Sequence, residues 1–212
     1  MLNNITATKQ QKHFNNEKKI LLILLSAAIF FTGCSAPAEK KEIYNNDFKW
    51  KIYIPENFEV VSPEQWKKMQ NRGADAIEKT YDAKIENTAK TIFAFKNNQF
   101  NYFESNYQPF DIATDGNYLE SCRNVDNILY ETFIAQMPGI KIDSSISTES
   151  IDGLIFQTFN MKVHYPNKMV LNALMFSRLF DKKEFSVNIM YVDKEKGALM
   201  LDAWKNSKFG RQ

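Results

Sequence analysis

The chain contains 212 residues, of which 27 are basic and 25 acidic, for a formal net charge of +2. Its lysines and arginines are spread along the sequence, which argues against the clustered positive charge of a nucleic-acid-binding protein. The length is ordinary for one folded domain. Two cysteines and two histidines leave few side chains for metal or disulfide chemistry.

An export signal comes first in chain order. Lys18 and Lys19 precede residues 20–31, a run of twelve apolar and small residues. A basic pair followed by a run of this length is typical of a secretory signal peptide. A membrane-spanning helix needs about 20 apolar residues, so we expect a cleaved signal rather than a permanent span.

The signal ends at "FTGC", where small Thr32 and Gly33 precede Cys34. This stretch resembles the lipobox of bacterial lipoproteins. The resemblance implies that the Cys34 thiol receives a diacylglycerol, that residues 1–33 are removed, and that the new amino group takes a further acyl chain such as palmitate. Several acyl chains anchor a protein stably, whereas one is marginal. The alternative is a cleaved signal with an incidental cysteine.

We expect the mature chain to be exported and anchored in a membrane of the bacterial cell envelope, the outer membrane in preference to the inner. Cleavage removes four lysines and one glutamate, which lowers the net charge to about −1. Residues 34–46 are polar and predict a lipidated tether with a reach of at most ~40 Å. Residues 47–212 then form a single domain, whose lone cysteine, Cys122, cannot form an intramolecular disulfide.

Alternation and capping signals predict the first half of this domain. In "FKWKIYIP", residues 48–55, apolar side chains alternate with polar ones, as in a half-buried strand. Ser62 as N-cap, Pro63 at the first helical position and Gln65 predict the start of a helix. Its expected buried stripe consists of Trp66, Met69, Ile77 and Tyr81. "KTIFAFKN" and "FNYFESNYQPF" predict the next two strands.

A long helix and a four-strand meander follow. Asp115 is a suitable cap for the helix, whose apolar residues recur at spacings of four, three, four and four and predict one buried face. These residues are Tyr118, Cys122, Val125, Leu129 and Phe133. "PG" ends the helix, and "DG", "PN" and "DKK" predict the turns between the strands. The strands are predicted at 140–150, 154–165, 169–180 and 185–192, and a last helix at 195–206.

The predicted order β-α-β-β-α-β-β-β-β-α indicates an α+β domain with helices packed on a mainly antiparallel sheet. The opening "FKWKIYIPENFEV", one long helix before the meander, and a closing "W" followed by "SKF" resemble the PsbP-like superfamily, which includes envelope lipoproteins of the DcrB type. The resemblance spans most of residues 44–210. It implies a three-layer α/β/α sandwich that works as a non-catalytic accessory or binding module, with no shared catalytic residue and no cofactor.

The sequence contains none of the common nucleophile, phosphate-binding or zinc-binding motifs. His164 shares the polar phase of its predicted strand with Asn160 and Lys162, so we expect it at the surface. Cys122 belongs to an apolar helix stripe, where a cysteine behaves as a small hydrophobe. A dyad of Cys122 and His164 stays open as an alternative without a supporting motif. We therefore expect neither an active site nor a metal site.

One stretch, residues 95–111, interleaves aromatic residues with Asn and Gln. Its rings either fill the core or form an exposed rim for a protein or glycan partner, because rigid rings give contact area at low entropy cost. The candidate partner contacts are Tyr102, Phe103 and Tyr107. On a regular strand, Phe103 and Tyr107 lie on the face opposite Tyr102.

These features predict a lipid-anchored, non-catalytic binding or accessory protein of the cell envelope, with a protein partner there. One alternative is a carrier of a hydrophobic ligand, which would need a deep apolar cavity between the sheet and a helix. Another is a thiol-dependent enzyme that uses Cys122.

Overall fold

The computed structural model describes residues 41–84 and 88–210, and these residues contain ten strands and four helices. The strands are β1 (Glu42–Asn45), β2 (Trp50–Tyr53), β3 (Glu59–Val60), β4 (Lys90–Asn98), β5 (Asn101–Pro109), β6 (Lys141–Ile151), β7 (Leu154–His164), β8 (Val170–Phe180), β9 (Lys183–Tyr191) and β10 (Lys208–Phe209). The helices are α1 (Pro63–Tyr81), α2 (Ile112–Asp115), α3 (Tyr118–Gln136) and α4 (Lys194–Lys205).

Seven strands form the large sheet, in the order β3-β4-β5-β9-β8-β7-β6, and every neighbouring pair is antiparallel. The predicted meander from β6 to β9 is confirmed. Its first turn has positive φ at both Asp152 and Gly153, the backbone of a type I′ hairpin turn, for which Asp-Gly is a preferred pair. A small sheet, β1-β2-β10, is also antiparallel.

The large sheet separates two different layers. Because side chains alternate along a strand, neighbouring residues of β5 face opposite layers. Phe103 packs in the cluster that contains the small sheet and α4, whereas Glu104 accepts a hydrogen bond from Trp66 of α1. The predicted α+β fold with three layers is therefore confirmed, with α1 and α3 on one face of the sheet and α4 with the small sheet on the other.

The main core lies between the large sheet and the layer formed by α4 and the small sheet. Its centre is aromatic: Trp50 lies edge-on to Trp204, with ring centroids 6.0 Å apart, and stacks on Phe93 at 5.1 Å. The predicted alternation in the first strand is confirmed, since Phe48, Trp50, Ile52 and Ile54 are all buried. Burying side chains of this size contributes roughly 1.5–3 kcal/mol each, so this layer supplies most of the apolar burial.

Helix capping is as predicted for α1 and differs for α3. The Ser62 hydroxyl accepts a hydrogen bond from the Gln65 backbone N–H, and Pro63 is the first helical residue. The sequence predicted Asp115 as the cap of α3, and this is wrong: Asp115 belongs to the short helix α2. Gly116, at φ +86°, ends that turn, and the Asn117 side chain caps α3 instead.

The folded part of the chain begins earlier than predicted. Residues 42–45 were assigned to the tether, but they pair with β2 from Glu42↔Tyr53 to Asn45↔Trp50. The predicted range of 34–46 is therefore too long, because polar side chains on one face of β1 hide its strand character. Cys34 and the predicted signal segment lie outside the described residues.

Among the described residues, the core and the paired strands lie within residues 42–209, which belong to one compact unit. We therefore expect residues 40–212 to fold without the preceding segment. Within the described ranges, no helix combines the length and apolar character needed to cross a bilayer.

Candidate ligand-binding cleft

A cleft of about 710 Å³ lies between α1, α3 and the large sheet, and we call it the α1–α3 cleft. Its volume falls in the ~300–1,000 Å³ range of small-molecule sites. The two helices join in their C-terminal halves, where the Tyr81 hydroxyl donates to Glu131 at 2.6 Å and Gln136 donates to Thr80 at 3.2 Å. Near its start α1 contacts the sheet through Trp66, which donates to Glu104 of β5. Between these contacts, the apolar side chains of the two helices and the sheet line the cleft.

The lining is mostly apolar and includes four methionines. The apolar side chains come from α1 (Trp66, Met69, Ala74, Ile77), from α3 (Val125, Ile128, Leu129, Phe133) and from the sheet (Tyr102, Phe159, Met161, Ala173, Met175, Met190). Methionine is flexible and polarisable, and it recurs at surfaces that adapt to different ligands. Such a lining suits an apolar molecule of variable shape.

The stripes that the sequence predicted as buried helix faces are the walls of this cleft. Of the α1 stripe only Trp66 is fully buried, and Tyr81 is 41% exposed. On α3, Val125 is 38% exposed, while the polar Asp126 and Thr132 are buried. Away from Trp66, the apolar side chains of both helices therefore stay partly exposed, which costs apolar burial that a tightly packed layer would have gained.

Glu104 is the one charged residue among those that line the α1–α3 cleft within the described ranges. It lies on β5 and is 8% exposed. One carboxylate oxygen accepts from the Trp66 indole N–H and from the Gln70 amide, both at 2.8 Å. The other accepts from the Asn188 amide at 3.2 Å. All three donors are neutral.

Glu104 begins a polar row along the floor of the cleft. Residues directly opposite each other on β5 and β9 are hydrogen-bonded in pairs on this face. The Ser186 hydroxyl donates to Asn106 at 2.6 Å, and Gln108 donates to Glu184 at 2.6 Å. Buried polar groups need such partners, and here the strands supply them across the ladder. The polar part of the cleft floor therefore lies on β5 and β9, and the apolar part lies on β7 and β8.

Two aromatic rings flank the Glu104 carboxylate. The Trp66 and Tyr102 rings meet edge-on with centroids 5.3 Å apart, and both line the α1–α3 cleft. The Tyr102 hydroxyl lies 2.7 Å from the Met190 sulfur. Burial, with a further contribution from the Glu104 charge, raises the pKa of Tyr102, so the phenol stays protonated at physiological pH.

The three residues predicted as partner contacts do not form one exposed rim. Phe103 has no exposed surface and stacks on Phe95 with centroids 4.6 Å apart, because its face of β5 packs in the main core. Tyr107 is half-buried and lies edge-on to Phe48 at 5.7 Å. The predicted opposition of Phe103 to Tyr102 is correct, and it is Tyr102 that faces the cleft.

Cys122 lies on the other side of α3, at a small cavity of about 70 Å³ that we call the Cys122 cavity. Its thiol is 3.6 Å from the Ser177 hydroxyl, and burial raises the pKa of the thiol. Asp126 lines the same cavity, and burial raises its pKa to about 6. A thiol with a raised pKa is mostly protonated at neutral pH and is a poor nucleophile.

The structure does not bring Cys122 and His164 together. Cys122 contacts Ser177 on the helical face of the sheet, and Gln157 pairs with Ser177 on that face. His164 is an odd number of residues from Gln157 on β7, so it points to the opposite face. It is half-exposed there, as predicted, and its ring lies 2.7 Å from Asp143. Among residues 41–84 and 88–210, no group of three or more His, Cys, Asp or Glu side chains is placed to hold a metal ion.

A shallower depression of about 570 Å³ lies beside β2 and the β8–β9 turn. Lysines and aspartates line it together, and Lys182 pairs with Asp111 at 2.8 Å and Lys183 with Asp47 at 3.4 Å. Four lysines and two aspartates line the depression, so it suits an apolar ligand less well than the α1–α3 cleft does.

The architecture can be compared with solved structures. The chain is similar to the solution structure of cyanobacterial PsbP (CyanoP) from Synechocystis sp. PCC 6803, with a TM-score of 0.52 and 9% sequence identity. The fold is PsbP-like. The likeness covers 84% of this chain and 96% of that one, and at such low identity it establishes the fold alone. No protein-family profile matches the sequence, and no curated protein is significantly similar to it.

Sequence reasoning missed Glu104 and Gln70 as members of a site. The available signal was the alternation of β5, which puts Tyr102 and Glu104 on one face and Phe103 on the other. A carboxylate that follows Tyr102 and Phe103 in a central strand predicts a buried charge. The hydrogen bond to Trp66, 38 residues away in sequence, could not be read from the pattern.

Proposed function

We propose that this PsbP-like protein is a lipid-anchored, non-catalytic binding protein of the bacterial envelope, and that it holds a hydrophobic ligand in the α1–α3 cleft. The observation that carries the proposal is the cleft itself, about 710 Å³ in volume and lined mainly by apolar side chains. The lipobox resemblance around Cys34 supports the anchor. A carrier of a hydrophobic ligand, one of the alternatives raised by the sequence, is favoured by this cavity.

The other two interpretations have less support. A partner protein at Tyr102, Phe103 and Tyr107 would lack the Phe103 ring, which is in the core. A thiol enzyme would need a reactive thiolate, and burial raises the pKa of Cys122 instead. Neither offers a concave surface comparable with the α1–α3 cleft.

Binding of an uncharged fluorescent apolar probe, N-phenyl-1-naphthylamine, to residues 40–212 tests the proposal. We expect the emission to rise and to saturate at one probe per chain. Ala173 is half-buried on β8 and lines the cleft. Ala173→Phe should fill part of the cleft and weaken binding at least ~10-fold, which corresponds to about 1.4 kcal/mol.

A matched substitution separates cleft filling from general effects. Ala135 is exposed on α3, outside the residues that line the cleft, so Ala135→Phe should leave the dissociation constant unchanged. The proposal fails if the parent shows no saturable binding, or if Ala173→Phe binds the probe as tightly as Ala135→Phe does.

A further inference from the structure

Among the residues that the structure describes, Glu104 has no cationic partner. It is 8% exposed, and none of the ion pairs among the described residues includes it. A buried carboxylate with neutral partners alone is costly, because it has lost its hydration without gaining a counter-ion. A core that served stability alone would favour an uncharged side chain at this position.

The hydrogen bonds leave part of this carboxylate available. A carboxylate offers about four lone-pair sites on its two oxygens. One oxygen already accepts from Trp66 and Gln70, at 2.8 Å each. The second has a single and longer bond, from Asn188 at 3.2 Å, so it can accept from a ligand at the cleft surface.

The rest of the cleft restricts the charge of that ligand. The residues lining it include no lysine, arginine or histidine within the described ranges. An anionic head would therefore meet only the negative charge of Glu104, whereas a cationic head would be attracted to it. The Trp66 and Tyr102 rings, with centroids 5.3 Å apart, line the same cleft, and aromatic rings attract ammonium groups.

We propose that the α1–α3 cleft selects amphiphilic amines, with the cationic head at Glu104, Trp66 and Tyr102 and the apolar chain along the methionines of β7 and β8. This inference rests on the proposed function, because it names the head group of the ligand that the cleft holds. Gln70 and Asn188 act as positioning residues, since they hold the two carboxylate oxygens.

Four probes with the same twelve-carbon chain test the inference: dodecyltrimethylammonium, dodecylammonium, dodecanol and dodecanoate. Their affinities for residues 40–212 are measured by calorimetry at neutral pH, below micelle-forming concentrations. We expect both ammonium probes to bind at least ~10-fold more tightly than dodecanol, and dodecanoate to bind more weakly than dodecanol.

Glu104→Gln keeps the size of the side chain and one acceptor oxygen but removes the charge. It should lower the affinity for both ammonium probes to that for dodecanol and leave the dodecanol affinity within about 3-fold. Glu120→Gln is the matched control. Glu120 is an exposed carboxylate in the first turn of α3, outside the cleft lining, and its substitution should preserve the ammonium preference.

The outcomes separate the two proposals. If no probe binds, the proposed function fails. If dodecanol and the ammonium probes bind the parent equally, or if Glu104→Gln retains the ammonium preference, only the head-group inference is overturned. Should Glu104→Gln unfold, as judged by circular dichroism, the order of the four affinities in the parent decides the question.

Discussion

Gly197 lies in the first turns of α4, with the flat face of the Tyr191 ring against it. A Cβ at this position would come within 2.6 Å of the Tyr191 Cγ, closer than packed carbon atoms can approach. The ring belongs to β9, and its contact with Gly197 sets how closely α4 approaches the sheet. The Gly197 backbone is helical, a conformation that other residues also adopt. Glycine is needed because a side chain would clash with the Tyr191 ring.

Gly197→Ala should therefore lower the free energy of unfolding by about 1–3 kcal/mol, the usual cost of overpacking. Gly73→Ala in α1 is the control, because its Cβ meets no atom within 4 Å. Alanine has a better helix propensity, so this variant should gain about 0.5–1 kcal/mol. Denaturant titration measures both, and a loss of equal size in the two variants would contradict the packing argument.

Asp126 links stability to pH. Burial raises its pKa from 3.8 to about 6, so the native state resists ionisation while the unfolded state does not. The contribution of protonated Asp126 to the free energy of unfolding is fully present below about pH 4. It is lost as the pH rises through about 6. Above that pH the folded protein carries a buried charge in the Cys122 cavity.

Asp126→Asn should consequently stabilise the protein at pH 8 and have little effect at pH 4. We expect the free energy of unfolding to rise by about 1–2 kcal/mol at pH 8. This gain is smaller than ~1.4 kcal/mol for each unit of the pKa shift, because the Cys122 cavity has room for water. Asp75→Asn, at an exposed position of α1, controls for net charge. A stability gain that is equal at pH 4 and pH 8 would mean that ionisation of Asp126 is not its cause.

At the scale of elements, β5 couples the two layers. Phe103 and Tyr107 pack in the aromatic core, and the even-numbered residues of β5 line the α1–α3 cleft. The Phe103 ring stacks on both Phe95 and Phe93, with centroids 4.6 and 5.9 Å away. Phe100, in the turn that leads into the same strand, is 44% exposed.

Phe103→Ala should cost about 3–5 kcal/mol of unfolding free energy, the range for a buried phenylalanine, and Phe100→Ala less than ~0.5 kcal/mol. Thermal melts of the two variants make the comparison. A near-neutral Phe103→Ala would mean that this face of β5 is not in the core.

The sequence predicted the long elements well because their signals are local. The meander follows from alternation and turn residues between β6 and β9, and the start of α1 follows from Ser62 and Pro63. The short strands β1, β3 and β10 were missed, since two to four residues carry too little periodicity and pair only with distant segments. The cap of α3 was placed two residues early because Gly116 was not read as a break.

The cleft could not have been predicted in this way. An apolar stripe at helical spacing looks the same whether the helix closes on the sheet or stands away from it. The sequence predicted that the stripe from Trp66 to Tyr81 is buried, and in the structure this stripe lines the α1–α3 cleft. The distance between a helix and a sheet depends on side chains from several elements, here α1, α3 and four strands of the sheet.

At the scale of the whole molecule, Cys34 is the residue on which the proposed anchoring depends. Cys34→Ser removes the thiol that would carry the diacylglycerol, so we expect no acyl chains by mass spectrometry and an unprocessed or soluble protein after fractionation. Cys122→Ser is the matched control and should remain acylated and membrane-bound. The lipobox interpretation is wrong if Cys34→Ser sediments with the membrane fraction as the parent does.

The early start of β1 bears on where ligand exchange would take place. Seven residues separate Cys34 from Glu42, and fully extended they reach about 25–30 Å, no more than the ~30 Å hydrocarbon thickness of a bilayer. An acylated Cys34 would thus keep the folded domain close to the surface of the leaflet that holds the acyl chains. An amphiphile that leaves this leaflet could then enter the cleft while the protein stays bound to the same membrane.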